Sequence, residues 1–192
     1  MNTGKSVLLV GGGIVGLATA YRLSRRFPHV RITLAEKEPA VALHQSTHNS
    51  GVLHTGLYYA PGSAKARLAV AGVRQMVAFC RAEQISHEVC GKLVVAATLD
   101  ELPGLEELLR RGIANGLSGV RKIDRAEMRA IEPHVAGVAA VQVPEAGIVD
   151  YRQVCDRLAL RIRERGGILR TGARIERLRR ERHACAASGS RF

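Results

Sequence analysis

Three glycines, Gly11, Gly13 and Gly16, stand at the spacing G-x-G-x-x-G, and Glu36 follows twenty residues after the last of them. That pattern can seat an adenine dinucleotide, and each residue has its own reason to be there. Gly11 permits a tight turn, Gly13 lets main chain approach a pyrophosphate, and Gly16 lets a helix pack closely on a strand. The first N–H groups of that helix, at Ile14 and Val15, face the anion in such a site. Glu36, with Lys37 beside it, stands where a carboxylate accepts ribose hydroxyls. An acid here argues against a 2′-phosphate, so the motif points to FAD or NAD and away from NADP, without choosing between the first two.

A second unusual stretch follows. Between His44 and Gly72 lie the polar segment from Gln45 to His54, two adjacent tyrosines, and the turn "YAPGS". Ser46, Asn49 and Ser50 are short donors suited to phosphate and ring oxygens, and Gly51 allows main chain to come against a flat ring. A purely structural turn serves the same residues equally well.

These residues need elements to hold them. "KSVLLV", residues 5–10, is a short apolar run that stops at Gly11, and "IVGLATAYRLSRRF" behind it has helical spacing. "VRITLAE", residues 30–36, is a second strand, which makes the opening a βαβ unit. A long helix is expected over 64–83, capped by Ser63, with Leu68, Val73, Met76, Val77 and Cys80 on its apolar face. A strand over 91–98 then leads to a helix with a capping box at Thr98 and Glu101 that ends at Asn115-Gly116. A second box is expected at Asp124 and Glu127, with Pro133 as the stop. Beyond a strand over 137–143, Asp150 caps a helix running to about Arg165, and "GGILRTGARIERLR" returns as strand. The order suggests an α/β nucleotide domain interrupted by an insertion.

Composition sets limits on partners. With 46% hydrophobic and 24% charged residues the chain has globular balance, and it holds no apolar run long enough to span a bilayer. No signal peptide is read at the N-terminus, so a cytoplasmic address is expected. Cys80, Cys90, Cys155 and Cys185 show no Cys-x-x-Cys pair and no histidine at zinc spacing, so reduced thiols and no metal are expected. The net charge of +12 raises the question of nucleic acid. Twelve arginines against four acidic residues lie between Arg152 and Phe192, without the interleaved aromatic residues that base stacking needs, and nucleic-acid binding is not expected.

The succession "EKEPAVALHQSTHNSGVLHTGLYYAPGSAKARLAVAG" is continued by "CGKLVVA", "LEELLRRGIANG", "IEPHVAGVAAVQVPEAGIVDY" and "GARI". Together they closely resemble the L-2-hydroxyglutarate oxidase/dehydrogenase family, FAD enzymes of the D-amino-acid-oxidase-like superfamily. The resemblance covers residues 5 to about 178. It implies an α/β fold: a Rossmann-like FAD-binding domain of the glutathione-reductase type with an inserted mixed α+β substrate domain. The expected division is 1–80 for the first part of the FAD domain, 81–150 for the insertion, 151–179 for the return, and 180–192 for an atypical tail. After about Arg179 the likeness stops at "RERHACAASGSRF". The chain is therefore expected to be C-terminally incomplete, with a missing C-terminal half as a partner.

The resemblance selects FAD over NAD and carries Gln45 to His54 across the pyrophosphate toward the isoalloxazine. It implies oxidation of L-2-hydroxyglutarate to 2-oxoglutarate, with hydride passing to flavin and electrons onward to oxygen or a membrane quinone; the latter would place the chain at the inner face of a membrane. A base must take the hydroxyl proton, and His54 or His48 qualifies because imidazole titrates near the operating pH. The alternative for each histidine is a hydrogen-bonded structural role. Tyr58 and Tyr59 are packing residues with a polar tip or substrate contacts, and Lys65 and Arg67 attract a dicarboxylate or are simply solvated. The main chain at Ile175 corresponds to the strand that flanks adenine. Two alternatives stay open: another small hydroxy or amino acid as substrate, and a non-catalytic FAD-binding fragment.

Overall fold

The computed structural model describes residues 5–181 and 185–190. In chain order, β1 is Ser6–Val10, α1 Ile14–Arg26, β2 Arg31–Ala35, β3 Val52–Leu53, α2 Ala64–Glu83, β4 His87–Glu88 and β5 Lys92–Ala96. One turn of 3-10 helix at Leu99–Glu101 runs into α3 at Leu102–Ala114, followed by β6 Arg121–Asp124, α4 Arg125–Ile131, β7 Ala139–Val143 and β8 Gly147–Val149. Next come α5 Tyr151–Glu164, β9 Ile168–Arg170, β10 Arg174–Arg180 and β11 Cys185–Ser190. The chain divides into two compact units, 1–50 with 150–192, and 51–149. The insertion thus opens at 50/51 rather than 80/81, because β3 pairs with β8 and leaves the first unit thirty residues before α2 ends.

The first unit is the expected parallel α/β unit. β1 and β2 pair in parallel, with Val7 opposite Ile32 and Leu9 opposite Leu34, and β9 joins the far side of β2 with Thr33 opposite Ile168. Parallel neighbours need a crossover, and α1 and α5 supply it. α5 buries Val154, Cys155, Leu158, Ala159 and Ile162, a stripe at helical spacing, and α1 buries Leu17 and Ala20. Asp150 caps α5 by accepting from the Gln153 N–H at 3.1 Å. β10 and β11 form an antiparallel hairpin outside the parallel sheet, with a bulge between Ile175 and Arg177. The tail read as atypical therefore supplies a paired strand.

The second unit contains two small sheets. β5, β7 and β6 lie in that order, as do β3, β8 and β4, and every pairing is antiparallel among the described residues. Alternation along β7 covers both faces: Val141 and Val143 pack with Leu57, Leu105 and Leu117, while Ala140 packs with Ile123 and Met128. The box at Asp124 and Glu127 forms in full, and Ser63 accepts from the Ala66 N–H at 3.2 Å. The box at Thr98 does not form. A 3-10 turn occupies 99–101 and Glu101 instead accepts from the Ala97 N–H at 2.6 Å, so Thr98 has no helical N–H in reach. On α2 Val73 and Cys80 are buried and Met76 and Val77 half-buried as expected, but Leu68 is 72% exposed and Ala66 takes the first buried place on that face. No described helix is long and apolar enough to cross a membrane.

Candidate dinucleotide and substrate sites

In the first unit the glycine turn is built as its spacing demands. Gly11 sits at φ 106°, a left-handed value that a side chain disfavours, and its N–H donates to the Ala35 carbonyl at 2.8 Å. A Cβ on Gly16 would lie 2.0 Å from the Gly11 carbonyl oxygen and 3.8 Å from Leu34 Cδ1, so α1 can start this close to the turn and β2 only with glycine there. Gly13 is the N-cap of α1 and, lacking a side chain, makes no cap bond of its own. Val15 is 78% exposed in the first turn, so no side chain packs over it there; a helix N-terminus of this kind favours an anion.

Glu36 is buried at 8% exposure, and both its oxygens are engaged. Oε2 accepts from Gly12 N–H at 2.5 Å and Oε1 from Glu38 N–H at 2.9 Å, which aims the carboxylate along the turn. Each oxygen keeps a further lone pair for a hydroxyl donor. Gly12, passed over in the motif, is also closely packed: a Cβ there would lie 3.0 Å from Glu36 Cβ and Oε2, so the acid would have to shift to admit a side chain. The Ala173 N–H donates to the Glu36 carbonyl and the Gly172 N–H to the Glu38 carbonyl, at 2.8 and 2.7 Å. The main chain leading into Ile175 is thereby held beside the acid. Lys37 is exposed and pairs with Glu38 at 3.4 Å.

The segment after Glu36 returns to the glycine turn. Ser46 Oγ accepts from the Ile14 N–H at 2.9 Å and would touch a Cβ on Gly13 at 3.2 Å, so the hydroxyl sits over the helix start with its own hydrogen still to donate. A phosphate oxygen beside it would meet that hydrogen at the start of the helix. The residues present fit a dinucleotide pyrophosphate. Arg152, not singled out in the sequence, stitches this segment: its guanidinium donates to the carbonyls of Val41 and Ala42 and to Thr47 Oγ1 at 3.1–3.2 Å. Ala42 is held at φ 59°, with its N–H on the Gly12 carbonyl at 3.0 Å. Nothing in residue type marks Arg152, which lies 110 residues from its partner Ala42.

Other candidates are turned to local use. Asn49 is exposed, and its Nδ2 donates to the carbonyls of Gln45 and Ser46 at 3.1 and 2.9 Å, so its amide closes its own turn. Gln45 and Ser50 are exposed. His48 Nδ1 lies 2.8 Å from the His44 carbonyl, which can only accept, so Nδ1 carries hydrogen and Nε2 is the lone pair available for a proton. His44 in turn holds Glu38 at 3.0 Å, and that hydrogen bond keeps the Glu38 carboxyl below its ordinary range.

Gly51 and His54 belong to the second unit. Gly51, at φ 69°, gives its carbonyl to the Val149 N–H at 2.8 Å. His54 is exposed and lines a cleft of about 150 Å³ with Thr55, Gly56, Leu57, Tyr58, Tyr59 and Lys92. Lys65 is exposed, and Arg67 donates to the Gly62 carbonyl at 2.7 Å, which ties it to its own turn.

The family model for FAD dependent oxidoreductase matches residues 6–191, past Arg179, where the resemblance was expected to end. L-2-hydroxyglutarate dehydrogenase of Indibacter alkaliphilus is 46% identical over 88% of this chain and 42% of its own length. The mitochondrial L-2-hydroxyglutarate dehydrogenase of Bos taurus is 42% identical over 95% of this chain and 39% of its own. The chain thus spans about two-fifths of the curated relatives it matches. Among solved structures, FAD-bound L-alpha-glycerophosphate oxidase from Mycoplasma pneumoniae superposes with a TM-score of 0.81 at 28% identity, covering 91% of this chain and 46% of that one. Glycine oxidase from Geobacillus kaustophilus shares the fold with a TM-score of 0.83 at 21% identity, over 94% and 50%.

Proposed function

The chain belongs to the FAD dependent oxidoreductase family, and from that premise we propose that it serves the oxidation of L-2-hydroxyglutarate to 2-oxoglutarate. The observation that carries this reading is its likeness to L-2-hydroxyglutarate dehydrogenases, each matching more than four-fifths of the chain. In this reading the turn at Gly11 to Gly16 and the hydroxyl of Ser46 hold the pyrophosphate of FAD. Glu36 takes the ribose hydroxyls, and the main chain at Ile175 lies along the adenine. FAD, when bound, supplies the acceptor for the C2 hydrogen and its two electrons.

What remains for the protein is the hydroxyl proton. As C2 loses hydrogen with its electron pair, the C2–O bond becomes a carbonyl and the O–H proton must leave. His54 is our first choice for the base. His48 Nε2 is the second, its ring already oriented by the His44 carbonyl. The electrons pass on to oxygen or a membrane quinone, and the chain works in the cytoplasm or against the inner face of a membrane, together with a C-terminal half.

The test is an absorbance spectrum of the purified chain, followed by anaerobic addition of L-2-hydroxyglutarate, with the D enantiomer as control. Flavin bands that bleach with the L form alone, with 2-oxoglutarate released, are the expected result. Flavin that stays oxidised would refute the substrate, and a chain that takes up no FAD would refute the site.

A further inference from the structure

We propose that the cleft of residues 54–59 and Lys92 is a carboxylate-binding subsite, which, resting on the reading above, takes one carboxylate of the dicarboxylate substrate. Among the described residues that line the cleft, Lys92 is the one lysine or arginine, and none is acidic. Its ammonium lies 4.6 Å from the centre of the Tyr58 ring and 3.5 Å from the Tyr58 hydroxyl. The second distance is at the limit of a hydrogen bond, so the ammonium has donors left over. Among the described residues no carboxylate pairs with it.

A second observation points the same way. Thr55 lines the cleft at 1% exposure, and its hydroxyl has no hydrogen-bond partner. Buried hydroxyls are nearly always paired, and a ligand oxygen in the cleft is the partner that the proposal gives this one. One cation and the hydroxyls of Thr55, Tyr58 and Tyr59 suit a singly charged carboxylate. A volume of about 150 Å³ holds such a group with a short carbon chain.

The loop is held rigid from behind. Asn115 Nδ2 donates to the carbonyls of Gly56 and Tyr59 at 3.1 and 3.0 Å, and Arg111 Nη1 donates to that of Tyr58 at 3.3 Å. Leu57 seats where α3 carries Gly112, since a Cβ there would lie 2.9 Å from Leu57 Cδ1. Three contacts on the main-chain carbonyls of Gly56, Tyr58 and Tyr59 position the side chains before any ligand arrives.

Calorimetric titration of glutarate into the purified chain and its variants tests this. Lys92→Met should weaken binding about ten-fold or more, Lys92→Arg should restore most of it, and Arg129→Met on the exposed face of α4 should leave it unchanged. Thr55→Val should weaken binding about three-fold or more without lowering Tm, because the lost hydroxyl has no protein partner. Equal affinity in Lys92→Met and wild type overturns the proposal, as does a wild type that ignores glutarate or prefers inorganic phosphate. Glutarate binding through Lys92 without flavin reduction by L-2-hydroxyglutarate would leave the subsite standing and sink the reaction. Reduction with unchanged KM in Lys92→Met would do the reverse.

Discussion

At the residue scale the strongest constraint is Gly16, whose absent side chain lets helix, turn and strand meet. Gly16→Ala puts a methyl 2.0 Å from a carbonyl oxygen, so the backbone must move. A loss of about 2 kcal/mol or more in the urea unfolding free energy, with loss of FAD uptake, is the expected outcome. The cysteines divide by burial. Desolvation pushes the thiols of Cys80 and Cys155 up to about 11, while Cys90 and Cys185 are exposed. A thiol reagent at mildly alkaline pH should therefore modify Cys90 and Cys185 at once, and Cys80 and Cys155 only when the chain unfolds. All four reacting together in the native chain would contradict the fold. Gly11, Gly13, Gly16 and Glu36 were legible because their spacing is fixed by the local path of a βαβ turn. Gly12 and Arg152 were not, since their partners Glu36 and Ala42 are defined only once the chain folds back.

At the element scale, helix starts were read well wherever a short polar side chain met its own N–H groups. Ser63, Asp124 and Asp150 all cap as their positions suggest. For Asp150 the Gln153 N–H holds the carboxyl below its ordinary value, which makes the charged form the favoured one in the folded chain. Its contribution is present above the ordinary carboxylate pKa and is lost as pH falls through the lowered one. Asp150→Ala should cost about 1 kcal/mol near neutral pH, and the gap to wild type should close below about pH 4. Urea midpoints at the two pH values measure it; a gap that persists in acid would show that charge is not the source. The Thr98 box failed because the helix began with a 3-10 turn, an outcome that a four-residue signature cannot foresee.

At the scale of the whole molecule the charge is divided unevenly. Eighteen basic residues face seven acidic ones in the unit 1–50 with 150–192, against eleven and ten in 51–149. The excess that first suggested nucleic acid thus belongs to the unit that carries the glycine turn. A field of that sign favours a dianionic pyrophosphate and is screened by salt. FAD affinity, followed by quenching of flavin fluorescence, should fall between low and high sodium chloride. An affinity independent of salt would mean that the arginines contribute nothing to cofactor capture.

The sequence by itself determined the βαβ opening, the dinucleotide motif with its acid, the helix caps and the family resemblance, because each rests on residues within one or two elements of each other. Tertiary structure decided where the insertion begins, that Ala66 and not Leu68 is buried on α2, and that residues 185–190 pair as β11. It also decided that Asn49 closes its own turn, that Arg152 ties the loop, and that Lys92 meets Tyr58. Those outcomes depend on contacts between residues far apart in the chain, and a pattern of residue types carries no record of which distant partner a side chain will find.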